Sequence, residues 1–172
     1  MEDTANAVVD AAFATNPQFA ATTHLALGDV RCMTEEYLTK LATECEIDLV
    51  IGGSPCQDLT RMAGPERQGL KGEKSSLFWE YDRVLKIVRK ARPSVAFVLE
   101  NVYGMPERDR DIITKAMGVT PQRLRACEIS ACKRDRYFWS NLPARSLRIL
   151  KDEDLVEFAD CLSSVSTLAI VS

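Results

Sequence analysis

The sequence predicts an α/β fold with a mostly parallel sheet, because its hydrophobic periodicity alternates between strand-like and helix-like segments. Two continuous apolar runs, 48–51 and 94–100, have the composition of buried parallel strands, and a predicted helix separates them. At 172 residues, 46% of them hydrophobic, the chain can bury one sizeable core but is short for two. We therefore expect one domain, with helices flanking the sheet.

The first predicted elements are a helix over 3–14, a strand over 23–27 and a helix over 34–44. Thr34 is the expected N-cap of this second helix, because two glutamates follow it in the first turn. The buried strand at 48–51 comes next. These elements follow one another with short connections, as expected in an α/β domain.

The connection at 52–72 is long and rich in glycine, proline and charge. Long loops within a compact domain are usually functional, so we interpret this one as an active-site loop. A helix is predicted to begin at Ser75 or Ser76 and to end near residue 91, before a proline. The strand at 94–100 then places a carboxylate, Glu100, at its C-terminal end.

The last third of the chain is predicted to hold a helix over 107–117 and two strands, 124–130 and 136–141. The two strands form a hairpin-like pair flanking residues 131–135. The segment after residue 149 is acidic. No internal repeat or low-complexity stretch interrupts this order.

The six cysteines include no C-x-x-C pair, and the single histidine is His24, so the sequence predicts neither a metal site nor a disulfide framework. Cys56 differs from the rest because it follows an apolar strand and two glycines, in a loop restricted by Pro55. Loops at strand ends carry reacting groups, so Cys56 is a candidate nucleophile. The other five are interpreted as small buried hydrophobic residues: Cys32, Cys45, Cys127, Cys132 and Cys161.

The formal net charge is −3, but residues 83–148 carry 15 Lys or Arg against 6 Asp or Glu, so a polyanion could bind locally. Helical spacing of Arg83, Lys86, Arg89 and Lys90 is equally typical of a solvated helix face, which we favour for this run. No apolar stretch approaches the roughly 20 residues that span a bilayer, and the acidic start is unlike a secretory signal. We expect a soluble, intracellular protein.

Cys56 and Glu100 both follow predicted parallel strands, so they are expected at the same edge of the sheet, where ligands bind in such folds. A thiol beside a carboxylic acid, with arginines nearby, is the set needed to add a thiolate to C6 of a cytosine. That addition makes C5 a carbon nucleophile that can accept a methyl group, while the acid relieves negative charge at N3. The target base must leave the duplex stack first.

Three segments resemble successive motifs of the DNA cytosine-5 methyltransferases: GGSPCQDLT, FVLENV and KRDRYFWSNLP. GDVR at 28–31 and KSSLFWEYDRVL at 74–85 are similar to the family's segments beside S-adenosylmethionine. The pattern looks most like the de novo type of animals, although Gln57 follows the cysteine as in maintenance-type and bacterial enzymes. The resemblance implies a partial Rossmann-like, S-adenosylmethionine-dependent methyltransferase fold acting on DNA.

The resemblance also implies roles at the reacting base. Cys56 attacks C6 and Glu100 hydrogen-bonds and protonates the base at N3. Asn101 and Gln57 support the site, Asn101 by positioning the cysteine loop. Arg134 holds the phosphate of the flipped nucleotide, and Arg136 reaches the cytosine O2 and Glu100.

For the cofactor, the resemblance assigns Asp29 and Val30 to the adenine, and Pro55 and Leu77 to the same pocket. The family's D-L-F-x-G-x-G segment is absent, so the expected S-adenosylmethionine site is incomplete. In the family's Q-x-R-x-R segment, Cys132 takes the place of the glutamine. We interpret 1–150 as an incomplete catalytic domain and 151–172 as a remnant of the start of the target-recognition region.

Two alternatives remain open at this point. The chain could be a catalytically inactive, methyltransferase-like module that binds a full-length methyltransferase or a chromatin protein. Setting the resemblance aside, Cys56 could be the nucleophile of a thiol hydrolase with His24 as its base. As a DNA methyltransferase, the protein is expected in the nucleus of a eukaryote or in the cytoplasm otherwise.

Overall fold

The computed structural model describes Ala7, Ala11, Gly64, the backbone of Leu168–Val171, and residues 27–60, 67–126 and 134–143. The chain divides into two compact units, Met1–Cys32 and Met33–Ser172. In the first unit Ala7 and Ala11 are helical, within the helix predicted over 3–14. Val30–Cys32 forms a turn of 3₁₀ helix. Residues 23–26 of the first predicted strand lie outside the described residues.

The second unit is built on a five-stranded sheet. In chain order its strands are β1 (Leu49–Gly53), β2 (Ala96–Val102), β3 (Gln122–Arg125), β4 (Asp135–Ser140) and β5 (Leu168–Val171). Their order across the sheet is β3-β4-β2-β1-β5. Strand β1 runs parallel to both β2 and β5, whereas β4 runs antiparallel to β2 and β3. The predicted α/β class is therefore confirmed, with the pairings divided between parallel and antiparallel.

Three α-helices accompany the sheet in the described part of this unit: α1 (Glu35–Glu44), α2 (Phe78–Ala91) and α3 (Glu107–Met117). As predicted, Thr34 caps α1, and its hydroxyl accepts a hydrogen bond from the Tyr37 amide at 3.1 Å. A 3₁₀ turn at Ser75–Leu77 leads into α2. Helix α3 has the predicted bounds and ends at Gly118, whose φ of 72° is a left-handed conformation that glycine adopts readily.

The fifth strand is an element that the sequence analysis does not predict. Leu168–Val171 pairs with β1 along its free edge, with Leu168 opposite Leu49 and Val171 opposite Gly52. Four apolar residues near the end of a chain carry too little periodicity to indicate a strand by themselves. Pairing with β1 supplies the backbone hydrogen bonds, so this strand depends on a partner distant in sequence.

The core lies where α2 and α3 meet the sheet. Tyr81 of α2 is 2% exposed, and its hydroxyl donates to the carbonyl oxygens of Val98 at 3.0 Å and Val50 at 3.4 Å. The helix is thereby bonded to both central strands, and burial raises the pKa of Tyr81 above its ordinary value. Strand β4 lies on the other side of β2, and the indole nitrogen of its buried Trp139 donates to Thr114 of α3 at 3.0 Å. Helix α2 is therefore bonded to β1 and β2, and helix α3 to β4.

The prediction that Cys32 and Cys45 are buried is wrong, since both are exposed. Cys45 is the C-cap of α1, where the chain turns at the surface before Glu46, a residue with φ of 49°. Cys32 ends the 3₁₀ turn of the first unit. Cysteine is usually buried because it is small and apolar, but a position at the end of a helix overrides that tendency. Cys127, Cys132 and Cys161 lie outside the described residues.

The basic run on α2 behaves largely as a solvated helix face. Lys86 and Lys90 are exposed, and Arg83 is half-buried. Arg89 lies over the ring of Phe97, 4.5 Å from its centroid. The remaining three cations pair with carboxylates: Arg83 with Glu80, Lys86 with Asp82 and Lys90 with Glu35.

Candidate functional site

Cys56 lies on the loop that leaves the C-terminal end of β1. The residue is half-buried. Its carbonyl oxygen accepts hydrogen bonds from the amides of Leu59 and Thr60, both at 2.9 Å. These bonds close a single helical turn directly after the cysteine, so the backbone of Cys56 is fixed on its C-terminal side.

On the N-terminal side, Asn101 of β2 anchors the loop. Its side chain is buried, with 1% of the residue exposed, and its Nδ2 donates to the carbonyl oxygen of Ser54 at 3.1 Å and to the Ser54 hydroxyl at 2.9 Å. The Oδ1 atom accepts from the amide of Val102 at 2.7 Å. A buried amide side chain with both ends bonded is held in one orientation. The residue two positions before Cys56 is thereby tied to the neighbouring strand.

Glu100 precedes Asn101 and points to the opposite face of the sheet, because successive side chains of a strand alternate. The parallel register sets Glu100 opposite Gly53, the last residue of β1. A Cβ atom at Gly53 would lie 3.3 Å from Oε2 of Glu100, so the carboxylate extends over the end of β1. The carboxyl group therefore lies beside the point where the cysteine loop begins.

Arg136 of β4 contacts that carboxylate. The antiparallel register pairs Arg136 with Val102 and Phe138 with Glu100, so these four side chains share one face of the sheet. Nε of Arg136 lies 2.5 Å from Oε1 of Glu100, and Nη1 donates to the carbonyl oxygen of Asp135 at 2.9 Å. The side chains of Glu100 and Arg136 are 33% and 21% exposed, so this ion pair remains accessible to a ligand.

The start of β4 is fixed by contacts next to Arg136. Asp135 forms an ion pair with Arg123 of β3, and this contact raises the pKa of Arg123. The Arg123 guanidinium also lies over the ring of Tyr103, 3.8 Å from its centroid, and Tyr103 in turn packs against Tyr137 with centroids 4.9 Å apart. These contacts hold the strand from which Arg136 reaches Glu100.

The other residues that the resemblance assigns to the second unit are exposed or half-buried where the structure describes them. Arg134 is exposed directly before β4, and its carbonyl oxygen accepts from the Ala126 amide at 2.9 Å. Gln57 is exposed, whereas Pro55 and Leu77 are half-buried. His24 and Cys132 lie outside the described residues. The described second unit thus brings the Cys56 loop, Glu100, Asn101 and Arg136 to one edge of the sheet.

Two predicted cofactor residues, Asp29 and Val30, belong to the first unit. Val30 is buried and Asp29 is exposed. The side chain and the amide of Arg31 donate hydrogen bonds to the Asp29 carboxylate, and they lower the pKa of Asp29 from 3.8 to about 2. This carboxylate is therefore ionised at neutral pH and can accept further hydrogen bonds.

Sequence reasoning missed two residues that hold the cysteine loop in place: Ser75, which bonds to the loop, and Asp58, which lies in it. Ser75 is fully buried, and its hydroxyl donates to the carbonyl oxygen of Pro55 at 3.0 Å. The sequence indicates Ser75 only as a possible helix start. Its contact with residue 55 spans 20 positions, which no local pattern reports. For Asp58, the sequence does offer one signal, because the residue lies only two positions after the candidate nucleophile Cys56.

The arrangement defines a class of site: a thiol on a fixed loop, with a carboxylate and a guanidinium paired at the end of the adjacent strand. Residues 11–125 match the protein family described as C-5 cytosine-specific DNA methylase, and this match covers more than half of the chain. The chain therefore belongs to the C-5 cytosine-specific DNA methylase family. Membership confirms the predicted family and the partial Rossmann-like methyltransferase fold.

Individual relatives agree with that family. The chain is 40% identical over 74 residues to DNA (cytosine-5)-methyltransferase DRM2 of Oryza sativa subsp. japonica, which is 42% of this chain and 12% of that protein. It is 41% identical over 80 residues to the type II methyltransferase M.AquIA of Picosynechococcus sp., covering 45% of this chain and 30% of that protein. For M.NgoPII of Neisseria gonorrhoeae the identity is 40% over 83 residues, 48% and 21% of the two chains.

The matched regions thus span 30% or less of the length of each of these three relatives. Over the residues that the structure describes, no helix combines the length and apolar character needed to cross a membrane.

Proposed function

We propose that this protein methylates cytosine at C5 in DNA. The observation that carries the proposal is the pair of consecutive residues at the end of β2. Asn101 bonds to the loop of Cys56, and Glu100 contacts Arg136. A nucleophile and an acid are thereby organised from two adjacent parallel strands, the place where α/β folds bind their substrates. Family membership supports the same reaction.

In the proposed mechanism the Cys56 thiolate adds to C6 of a cytosine that has left the duplex stack. Glu100 donates a proton to N3, so the electron pair displaced from the C5–C6 bond leaves C5 nucleophilic. After C5 has gained the methyl group, a base removes the C5 proton, the C6–S bond breaks to release Cys56 as thiolate, and N3 returns its proton to Glu100, which restores the ring. A general acid placed in this way typically contributes about 10²–10⁴-fold to a rate.

Arg136 has two tasks in this proposal. Its contact with Oε1 of Glu100 orients the carboxyl group, and its remaining guanidinium donors are available to the cytosine O2. Arg134, exposed two residues earlier, is the proposed contact of the target nucleotide's phosphate. The proposed partner is therefore DNA, and in a eukaryote the protein would act in the nucleus.

S-adenosylmethionine is the proposed methyl donor, and it supplies an electrophilic methyl group on a sulfonium. The described residues fit it in part, because the ionised carboxylate of Asp29 can accept a hydrogen bond from an amino group such as that of adenine. In the second unit, the residues proposed to bind the donor are Pro55 and Leu77, both half-buried. The chemistry at cytosine depends on Cys56 and Glu100.

The proposal is tested by incubating the protein with S-adenosylmethionine labelled in its methyl group and two matched duplexes. One duplex carries cytosine and the other carries 5-methylcytosine at the same positions. We expect label at C5 in the first duplex and none in the second. Equal labelling of both duplexes, or no labelling by the folded protein, would contradict the proposal, and the second result would favour a partner-binding module.

A further inference from the structure

The backbone on both sides of Cys56 is bonded to a single buried residue, Ser75. The Ser75 hydroxyl donates to the carbonyl oxygen of Pro55 at 3.0 Å and accepts from the Asp58 amide at 3.2 Å. The Ser75 amide donates back to Oδ2 of Asp58 at 3.1 Å. These three bonds join the residue before Cys56 and the second residue after it to one point of the structure.

Asp58 is held from a second direction by the chain that precedes Ser75. The Gly69 amide donates to the carbonyl oxygen of Asp58 at 3.1 Å. A Cβ atom at Gly72 would lie 2.2 Å from Cγ of Asp58, so only glycine leaves room for this carboxylate. The Asp58 side chain therefore fits a space that the segment 69–75 is shaped to leave.

This arrangement connects the cysteine loop to a rigid element. Ser75 opens the 3₁₀ turn that continues into α2, and the first residue of α2, Phe78, is fully buried. Helix α2 is bonded to both central strands through Tyr81. Because Ser75 is excluded from water, its hydrogen bonds do not compete with solvent, and losing a partner leaves a buried polar group unsatisfied.

We propose that Ser75 and Asp58 are positioning residues for the Cys56 thiol. Neither acts on the base. Together they fix residues 55–58, so the sulfur is presented to the ring in one orientation. This inference rests on the proposed function, in which Cys56 is the nucleophile. A misplacement of about 1 Å in a reacting group can lower a rate by about 10²-fold, so this positioning has a measurable consequence.

The primary test compares Ser75→Ala with Ser76→Ala in methyl transfer. Ser76 is the matched control, because its hydroxyl donates to the carbonyl oxygen of Glu73 at 2.8 Å, away from the loop. We expect Ser75→Ala to lower kcat by about 10- to 100-fold with KM changed by about twofold or less. Ser76→Ala should keep both constants. Equal kcat values for the two variants would overturn the inference.

A second comparison uses Asp58 and covers the case in which Ser75→Ala does not fold. In Asp58→Asn an amide oxygen can still accept from the Ser75 amide, whereas in Asp58→Ala no acceptor remains. We expect Asp58→Asn to retain kcat within about threefold and Asp58→Ala to lose at least about tenfold. Rescue by asparagine identifies the hydrogen bond as the cause. Equal losses in both variants, or no loss in either, would overturn the inference.

Two further measurements separate this inference from the proposed function, since neither needs turnover. The first is hydrogen exchange at the Asp58 amide, and the second is alkylation of Cys56 by iodoacetamide, with the exposed Cys45 of the same chain as the internal reference. We expect Ser75→Ala to accelerate both, by at least about threefold relative to Ser76→Ala. If both stay at the control rate, the inference fails even in an active enzyme. If both change in a protein without methyl transfer, the positioning stands and the proposed function fails.

Discussion

Nε of Arg136 lies 2.5 Å from Oε1 of Glu100 because the antiparallel pairing of β2 and β4 sets Arg136 opposite Val102, diagonally adjacent to Glu100 on the same face. The contact therefore follows from strand register. The two residues are 36 positions apart in the sequence, and their ion pair lies beside the end of β1, where the loop of Cys56 begins. In the proposed reaction Arg136 holds the carboxyl group of Glu100, which is the acid, and also contacts the target cytosine.

The Arg136 contact predicts a large effect on activity and a small one on stability. We expect Arg136→Ala to lower kcat/KM for methyl transfer by at least about 100-fold, since the acid loses its orienting partner. Accessible ion pairs contribute only about 0–1 kcal/mol to folding, so the free energy of unfolding in urea should fall by no more than that. Lys90→Ala, which removes an exposed ion pair between α2 and Glu35, is the control and should retain activity. Unchanged kcat/KM in Arg136→Ala would contradict the role.

The buried side chain of Asn101 is expected to contribute clearly to stability. Asn101→Ala removes two hydrogen bonds to Ser54 and leaves the Val102 amide without the side-chain acceptor that it has in the native protein. Leaving such groups unsatisfied costs about 1–3 kcal/mol, which urea unfolding monitored by circular dichroism can measure. Thr43 is the control, because its hydroxyl also donates to a backbone carbonyl oxygen, that of Thr39 at 2.9 Å, but both residues are exposed. A larger loss from Thr43→Ala than from Asn101→Ala would contradict this assignment.

The pairing of Asp29 with Arg31 predicts a pH dependence confined to acid. The pKa of Asp29 is lowered from 3.8 to about 2, so the folded state keeps this carboxylate ionised longer than the unfolded state does. Any stabilisation from the pair is thus fully present above pH 3.8 and is lost as the pH falls through about 2. The carboxyl carbon shift of Asp29, followed by NMR, should titrate near 2 in the native protein and nearer 3.8 in Arg31→Ala. Identical midpoints would contradict the contact.

Much of the fold follows from local patterns. Helix α3 has its predicted bounds, and β1 and β2 lie within two residues of the predicted strands, because apolar runs flanked by helices are strong signals. The sequence predicts that the Cys56 loop and Glu100 lie at the same edge of the sheet, because both follow parallel strands, whereas the direct pairing of β1 with β2 is seen only in the structure. The roles given to these residues remain predictions.

The parts that sequence did not indicate depend on partners distant along the chain. Strand β5 exists through its pairing with β1, and the bonds of Ser75 to Pro55 and Asp58 join residues 20 and 17 positions apart in the sequence. The exposure of Cys45 follows from the turn that ends α1, a feature of backbone geometry. Composition reports what a residue prefers on average, whereas these three features depend on where the fold places it.

The proposed reaction depends most on the covalent bond between Cys56 and C6 of cytosine. That bond is tested by mass spectrometry after incubation with S-adenosylmethionine and a duplex containing 5-fluorocytosine, in which the fluorine at C5 blocks release of the sulfur. We predict a protein–DNA adduct that maps to Cys56, persists in Cys45→Ser and is lost in Cys56→Ser. An adduct formed by Cys56→Ser, or one that maps to another residue, would contradict the central claim.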